Sequence, residues 1–198
     1  QVLTPAIPRE TAGSITIPST LGGCPVTAIG TGAFSRCSQL TSVKIPSGVT
    51  EIGDRAFLGC TGLTFVEIPL GVKNVADATF LRCSGLVSVT MPTGVTNIGV
   101  HAFSGCRRLT SVVIPSSVAK IGGDAFLQCS GLKSVEIPSG VTTICSQTFY
   151  ECSGLESVTI SPNVTRIDFK AFYRCSNLRS LSIPSSVTSI GEVAFMGC

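Results

Sequence analysis

Cysteine is the most reactive residue type in this 198-residue chain, and eight of its ten cysteines recur every 23 residues. A phenylalanine stands three positions before each of the eight, which are Cys37, Cys60, Cys83, Cys106, Cys129, Cys152, Cys175 and Cys198. Thiols in proteins form disulfides, bind metals or act as nucleophiles. Metal and iron–sulfur sites use closely paired ligands such as C-x-x-C, and the sequence has none. We therefore expect no metal and no cofactor.

The regular spacing also argues against disulfides. Repeats stacked in register place equivalent residues about 4.8 Å apart, which a disulfide accepts, but parallel side chains give the wrong Cβ directions. We predict that these cysteines are reduced, buried thiols that act as small apolar groups. Cys24 and Cys145 lie outside the series. Cys145 takes the place of Gly53 and Gly99, and is the expected reactive thiol.

Catalytic chemistry has little support in this sequence. The single histidine, His101, occupies a variable position before the pair Ala102-Phe103, and no nucleophile motif accompanies it. The carboxylates Glu67 and Glu136 share a strand position but lie three repeats apart. That separation is about 14 Å, which exceeds the spacing of glycosidase carboxylate pairs. We expect no enzymatic activity.

The cysteines belong to a repeat whose first half predicts a strand. One unit, residues 40–62, reads LTSVKIPSGVTEIGDRAFLGCTG. Val43 and Ile45 alternate with the polar Lys44, as in a short half-buried strand. Pro46 follows at once, and because proline donates no hydrogen bond to a ladder, it marks the end of the strand.

The second half of the repeat has a different period. Ile52, Ala56, Phe57 and Cys60 lie at i, i+4, i+5 and i+8, which places them on one side of a helical turn. Gly53 allows either a close approach of two backbones or a positive φ. We therefore predict an α/β repeat solenoid, with a parallel β-sheet on the concave face and short helical turns on the convex face.

The repeat resembles a known family. The pattern L-x-x-V-x-I-P at residues 40–46, I-G at 52–53, A-F at 56–57 and Cys60 is similar to the BspA-like leucine-rich repeats, from about Ile15 to Cys198. This resemblance implies a leucine-rich-repeat horseshoe. By analogy it also implies surface adhesion and binding of host proteins.

The period runs without a linker, which predicts one continuous domain. Residues 1–36 depart from it, because the Ile-Pro pairs at 17–18 and 45–46 are 28 residues apart, and we expect an irregular N-terminal repeat and cap there. Residues 37–198 are expected to be tandem 23-residue repeats. The series stops mid-repeat at Cys198, so we expect a fragment of a longer protein, with any targeting signal or anchor outside it.

The charge and apolar patterns limit the classes of partner. The net charge is +3 and charged residues are only 13% of the chain, which is not the pattern of a polybasic nucleic-acid-binding protein. Proline and polar residues interrupt every strand, so no run of 18 apolar residues predicts membrane insertion. With the family resemblance, these features favour a cell-surface or secreted protein.

Two outward positions of each predicted strand form columns across the sheet. Most are serine or threonine, but Phe65 is a large apolar residue beside Lys44 and Glu67, and it is the best hot-spot candidate. The alternative is a solitary exposed apolar residue, which is common on protein surfaces. Val113 and Glu136 share the column of Lys44 and complete the predicted binding face.

A second candidate surface is the ridge at the cysteine turns, with Arg82, Arg107 and Arg108. The leading hypothesis is a non-catalytic module for adhesion or protein binding, whose partner is a host surface or matrix protein. A structural spacer, or stalk, that presents another domain is the alternative, supported by the uniform Ser/Thr face. Glycan binding is a third hypothesis. It would favour aromatic side chains that stack on sugar rings, but the sequence has no tryptophan and only two tyrosines, Tyr150 and Tyr173.

Overall fold

The protein is a stack of short coils, one for each 23-residue repeat. The computed structural model describes the backbone of Val2–Leu3 and the whole of residues 8–198. The strands of this part of the chain are β1 (Val2–Leu3), β2 (Gly13–Thr16), β3 (Thr20–Leu21), β4 (Cys24–Pro25), β5 (Ala28–Ile29), β6 (Leu40–Lys44), β7 (Glu51–Ile52), β8 (Phe65–Glu67), β9 (Asn74–Val75), β10 (Ser88–Thr90), β11 (Asn97–Ile98), β12 (Lys120–Ile121), β13 (Ser134–Ile137), β14 (Thr143–Ile144), β15 (Ser157–Ile160), β16 (Arg166–Ile167) and β17 (Ser189–Ile190).

The strands pair in parallel and in register between neighbouring coils. The longer strands form a four-stranded sheet in the order β10-β8-β6-β2 and a separate pair, β13-β15. Phe65 pairs with Ser88 and Glu67 with Thr90, so equivalent residues lie side by side. The two-residue strands form three further parallel sheets, which the sequence did not predict: β1-β5-β7, β9-β11-β12 and β14-β16-β17. Only β3 and β4 pair antiparallel among the strands of the described residues.

The predicted α/β class is wrong, because residues 8–198 contain no α-helix. The segment expected to form helical turns is a ribbon of consecutive tight turns. In one coil Ala56, Leu58 and Cys60 each donate to the carbonyl three residues back, at 3.0–3.2 Å. The structure is therefore a β-solenoid, with turns where helices were expected on the convex side.

The alternate N–H groups of the ribbon explain why no helix forms. Arg55, Phe57 and Gly59 donate instead to carbonyl oxygens 22 residues later in the next coil, at 2.7–3.0 Å. Arg55 and Gly59 also have positive φ angles of 55° and 70°. An α-helix needs successive right-handed residues whose N–H groups bond four residues back. Apolar spacing at i and i+4 is thus compatible with a ribbon of turns as well as with a helix.

The glycine at position 53 is explained by a close approach of backbones. A Cβ atom on Gly53 would lie 2.8 Å from the Thr31 backbone nitrogen of the preceding coil. Gly122 meets Val100 in the same way, at 2.7 Å. Of the two explanations open from the sequence, the structure selects close contact between coils.

A column of phenylalanines forms the centre of the core. Adjacent rings in the column stack with centroids 5.0–5.5 Å apart and planes within 4–12° of parallel. The rings from Phe34 to Phe172 are fully buried, and Phe195 is partly exposed. Complete burial of a side chain of this size contributes about 1.5–3 kcal/mol. The predicted phenylalanine stack is confirmed.

Candidate binding surfaces

Three residues predicted as the centre of a binding face lie together. Phe65 on β8 stands beside Ser42 of β6, and its side chain is 43% exposed. Lys44 and Glu67 face the same side, because one buried residue separates each from the previous outward position. Phe65, Lys44 and Glu67 line one groove of ≈ 730 Å³, which we call the sheet-face groove.

Leu70 also lines the sheet-face groove, and sequence reasoning missed it. It follows Pro69, three residues after the end of β8, and it is 80% exposed. Ser47 and Ser116 hold the equivalent position in other coils, so a leucine at this place was a signal in the sequence. The groove therefore has two large apolar side chains, Phe65 and Leu70, with the charged Glu67 between them along one coil.

The remaining two residues of the predicted face lie apart from this groove. Val113 is 79% exposed, in a segment of residues 110–114 that has no strand. Glu136 on β13 lines a second groove of ≈ 490 Å³ with Ser116 and Thr159. The structure thus brings together Lys44, Phe65 and Glu67, while Val113 and Glu136 belong to later coils.

The sheet-face groove carries two charged side chains, Lys44 and Glu67. Lys44 and Glu67 form no ion pair with any residue that the structure describes. In the described part of the chain the ion pairs are Lys133–Glu156, Arg166–Asp168 and Arg174–Glu151. A partner can therefore meet both charges without first breaking an internal ion pair.

The ridge at the cysteine turns divides into two parts. In the later coils Arg174 Nη1 lies 3.4 Å from Glu151 Oε1, and Gln128 donates to the same carboxylate at 3.0 Å. In the earlier coils Arg82, Arg107 and Arg108 are exposed and form no ion pair with a described residue. Only the earlier part keeps its positive charge free.

The cysteines of the series form a hydrogen-bonded ladder, and they are buried as predicted except for Cys198, which is exposed because its coil has a neighbour on one side only. From Cys60 onward each Sγ of the series donates to the phenylalanine carbonyl 26 residues earlier, at 3.0–3.2 Å, and none is in a disulfide. Burial raises the pKa of Cys129 and of Cys175 to about 12. A thiol reacts as its thiolate, so these groups are unreactive at neutral pH.

The two cysteines outside the series differ in exposure. Cys145 is half-buried, and desolvation together with the charge of Asp168 raises its pKa. Cys24 is exposed. The structure therefore favours Cys24 over Cys145 as the more accessible thiol, contrary to the sequence-based expectation.

The histidine and the carboxylates of the described residues do not form a catalytic or metal-binding cluster. His101 Nδ1 is buried and has no hydrogen-bond partner among the described residues. No set of three or more histidine, cysteine, aspartate or glutamate side chains in that part of the chain could hold a metal ion. The same residues include no helix of the length and apolarity needed to cross a membrane.

The two tyrosines stack on each other across neighbouring coils. The rings of Tyr150 and Tyr173 have centroids 5.0 Å apart and planes 10° from parallel. The Lys170 ammonium lies 5.3 Å from the Tyr173 ring and 4.8 Å from the Phe169 ring. Because each tyrosine covers one face of the other, less ring surface remains for stacking against a sugar.

In-register parallel strands, a buried phenylalanine column and an outward strand face define a leucine-rich-repeat solenoid. The chain matches the family described as the BspA type leucine rich repeat region, in six copies, over residues 11–133 and 98–198. This protein therefore belongs to the BspA-type leucine-rich repeat family.

Solved structures of bacterial proteins are similar to the chain. The leucine-rich repeat protein of T. pallidum is 32% identical, with a TM-score of 0.75, over 93% of this chain and 76% of that one. A leucine-rich cell surface protein of Faecalibacterium prausnitzii A2-165 is 38% identical, with a TM-score of 0.66. Here the match covers 93% of this chain but 45% of the other, so this chain spans less than half of that protein. A comparison with curated protein sequences found no significant match.

Proposed function

We propose that this protein is a non-catalytic, cell-surface or secreted module that binds a protein partner through the sheet-face groove. The observation that carries the proposal is the combination of two exposed apolar side chains, Phe65 and Leu70, with the charges of Lys44 and Glu67, which form no ion pair with a described residue. Protein interfaces draw most of their energy from a few large anchors surrounded by polar contacts. The groove supplies both kinds of group.

The groove is the centre of a larger proposed face. A stable protein interface involves about 20–30 residues on each partner, which is more than the groove alone supplies. Val113 and Glu136, in the same outward column as Lys44, extend the proposed face along the solenoid. Their exposure and their position in later coils support a partner that lies across several repeats.

The location and the kind of partner are proposed from similarity. The F. prausnitzii structure, 38% identical to this chain, is that of a leucine-rich cell surface protein. A surface module of this kind meets proteins outside the cell, and the proposed partner is a host surface or matrix protein. We also propose that residues 1–36 cap the array, since the antiparallel pair β3–β4 and a register shift between β2 and β6 set them apart.

A spacer, or stalk, is the second candidate function. Much of the outward strand face is serine and threonine, and within the sheet-face groove itself Ser42 Oγ donates to Ser14 Oγ at 2.7 Å. Hydroxyl groups that bond to the neighbouring coil offer a partner few free anchors. In this case the repeats extend another domain from the cell and bind nothing themselves.

A binding screen with two matched variants tests the proposal. The purified chain is immobilised and exposed to a panel of purified host matrix and surface proteins, with affinity measured by surface plasmon resonance. Phe65→Ala is compared with Phe169→Ala, because these phenylalanines are 43% and 41% exposed. We expect Phe65→Ala to weaken binding by about 2 kcal/mol, or roughly thirtyfold, and Phe169→Ala to leave it unchanged. Equal losses in both variants, or no binding at all, would contradict the proposal.

A further inference from the structure

In the first four coils, arginine and glycine alternate at the position just before the cysteine, whereas Gln128 and Glu151 hold that position in the next two coils. The residue just before each buried cysteine has a positive φ, which is 65° at Arg36 and 61° at Arg82. Gly59 and Gly105 hold the same position in the coils that follow, with φ angles of 70° and 75°. Glycine adopts this conformation without strain, so the arginines are not explained by the backbone.

The side chains of Arg36 and Arg82 lie beside the glycines of the next coils, at ordinary contact distance. A Cβ atom on Gly59 would lie 3.6 Å from Cγ of Arg36, and one on Gly105 would lie 3.5 Å from Cγ of Arg82. The aliphatic stem of each arginine therefore lies against the bare backbone of the next coil. Arg36 and Arg82 are two coils, or about 10 Å, apart.

Two further arginines extend the same surface. Arg107 and Arg108 follow the next buried cysteine directly and are exposed, and the Arg107 N–H donates to the Gly105 carbonyl at 2.9 Å. Together with Arg36 and Arg82 they form what we call the arginine ridge. None of the four makes an ion pair with a described residue, so the ridge concentrates four positive charges in a chain of net charge +3.

The spacing of the ridge selects the ligand. Guanidinium groups bind sulfate and phosphate through paired hydrogen bonds. A single small anion can meet only one or two of these arginines, whereas a polymer with repeated anionic groups can meet all four, from Arg36 to Arg108. Nucleic acid is disfavoured, since its single-stranded forms bind proteins by stacking bases on aromatic rings and the tyrosines lie only in later coils.

We infer that the arginine ridge binds a linear anionic glycan or wall polymer that carries repeating sulfate or phosphate esters. This site is separate from the sheet-face groove and does not depend on it. The groove meets a protein through apolar anchors, while the ridge meets a polymer through charge. One molecule can therefore bind an anionic polymer at the arginine ridge and a protein at the sheet-face groove at the same time.

Two triple variants of the intact chain test this site. One is Arg82→Gln with Arg107→Gln and Arg108→Gln, and the control is Lys73→Gln with Lys120→Gln and Arg179→Gln. Both remove three exposed positive charges, but only the first removes them from the ridge. The probes are heparin for the sulfate esters, polyglycerol phosphate for the phosphate esters, and neutral dextran.

Binding is measured by fluorescence anisotropy over a range of salt concentrations. We expect the native chain to bind heparin or polyglycerol phosphate but not dextran. Tighter binding of heparin would indicate a sulfated glycan as the ligand, and tighter binding of polyglycerol phosphate would indicate a phosphate-ester wall polymer. The ridge variant should lose about tenfold or more in affinity and have a shallower salt dependence, while the control changes about twofold or less. Equal losses in the two variants, no binding to either polymer at low salt, or equally tight binding of single-stranded DNA would overturn the inference.

Discussion

Cys129 Sγ donates a hydrogen bond to the carbonyl oxygen of Phe103 in the preceding coil, at 3.2 Å. The same oxygen accepts the backbone N–H of Cys106, at 3.1 Å, so its two acceptor positions are both used. A cysteine at this place supplies a small buried group and a weak donor at once. This relationship repeats along the solenoid, and it explains the column of cysteines without disulfides, metals or catalysis.

Replacing one ladder cysteine should destabilise the fold moderately. Cys129→Ala removes the thiol donor and leaves a small cavity, and we expect a loss of about 1–2 kcal/mol in the free energy of unfolding. Cys24→Ala is the matched control, because Cys24 is exposed, and its effect should be close to zero. Urea denaturation followed by circular dichroism measures both. Equal stability of the two variants would show that the ladder bond contributes nothing.

The ladder thiols should resist modification in the folded protein. Burial raises the pKa of Cys129 and Cys175 to about 12, so almost no thiolate exists at pH 8. An Ellman's-reagent assay on the native protein should label the exposed Cys24 and Cys198 first, and the denatured, unreduced protein should react at the buried ladder cysteines as well. Absence of reactive thiols after denaturation would mean that the ladder is oxidised.

Stability should fall as the solution becomes alkaline. In the unfolded chain the thiols ionise near their ordinary pKa of 9.0, while in the folded chain Cys129 and Cys175 stay protonated up to about pH 12. The unfolded state then binds fewer protons, so the stabilisation present below pH 9 is lost between pH 9 and 12, by up to about 1.4 kcal/mol per pH unit for each thiol. Thermal melts from pH 8 to 10.5 measure the slope, and Cys129→Ala with Cys175→Ala should reduce it. If the double variant has the same slope, these two thiols do not cause the loss of stability at alkaline pH.

The phenylalanine stack should be more sensitive at its centre than at its end. Phe103 has stacked rings on both sides, and Phe103→Ala should cost about 3–5 kcal/mol. Phe195 stacks only on Phe172 and is partly exposed, so Phe195→Ala should cost clearly less. Chemical denaturation of both variants gives the comparison. Equal losses in the free energy of unfolding would contradict the proposal that each ring is stabilised by its contacts with neighbouring coils.

Much of this fold could be predicted from the sequence, because the period places equivalent residues side by side. Leu40, Val43 and Phe57 lie in the core as the columns indicate. The prediction of helical turns was wrong because the contacts that determine the conformation of this segment come from the neighbouring coil. Arg55 has a positive φ, but arginine is not a residue type that predicts one. The hydrogen bonds that form in place of a helix join residues 22 apart in the sequence.

The candidate site was predicted in part for the same reason. Alternation along β6 and β8, with stacking in register, is enough to bring Lys44, Phe65 and Glu67 together. Leu70 lies outside the alternation of β8, after Pro69, so the strand pattern gives no information about the direction of its side chain. The separation of Val113 and Glu136 from the groove depends on where the sheet is interrupted, which the repeat pattern does not specify.

Photo-crosslinking from the groove measures most directly whether the sheet face binds the partner. p-Benzoylphenylalanine is introduced in place of Phe65 in one variant and of Phe169 in another, and each is irradiated with the purified partner found in the binding screen. Binding at the sheet-face groove predicts a crosslinked product from position 65 and none from position 169. A crosslink from position 169 with none from position 65 would place the partner on another surface and contradict the proposed function.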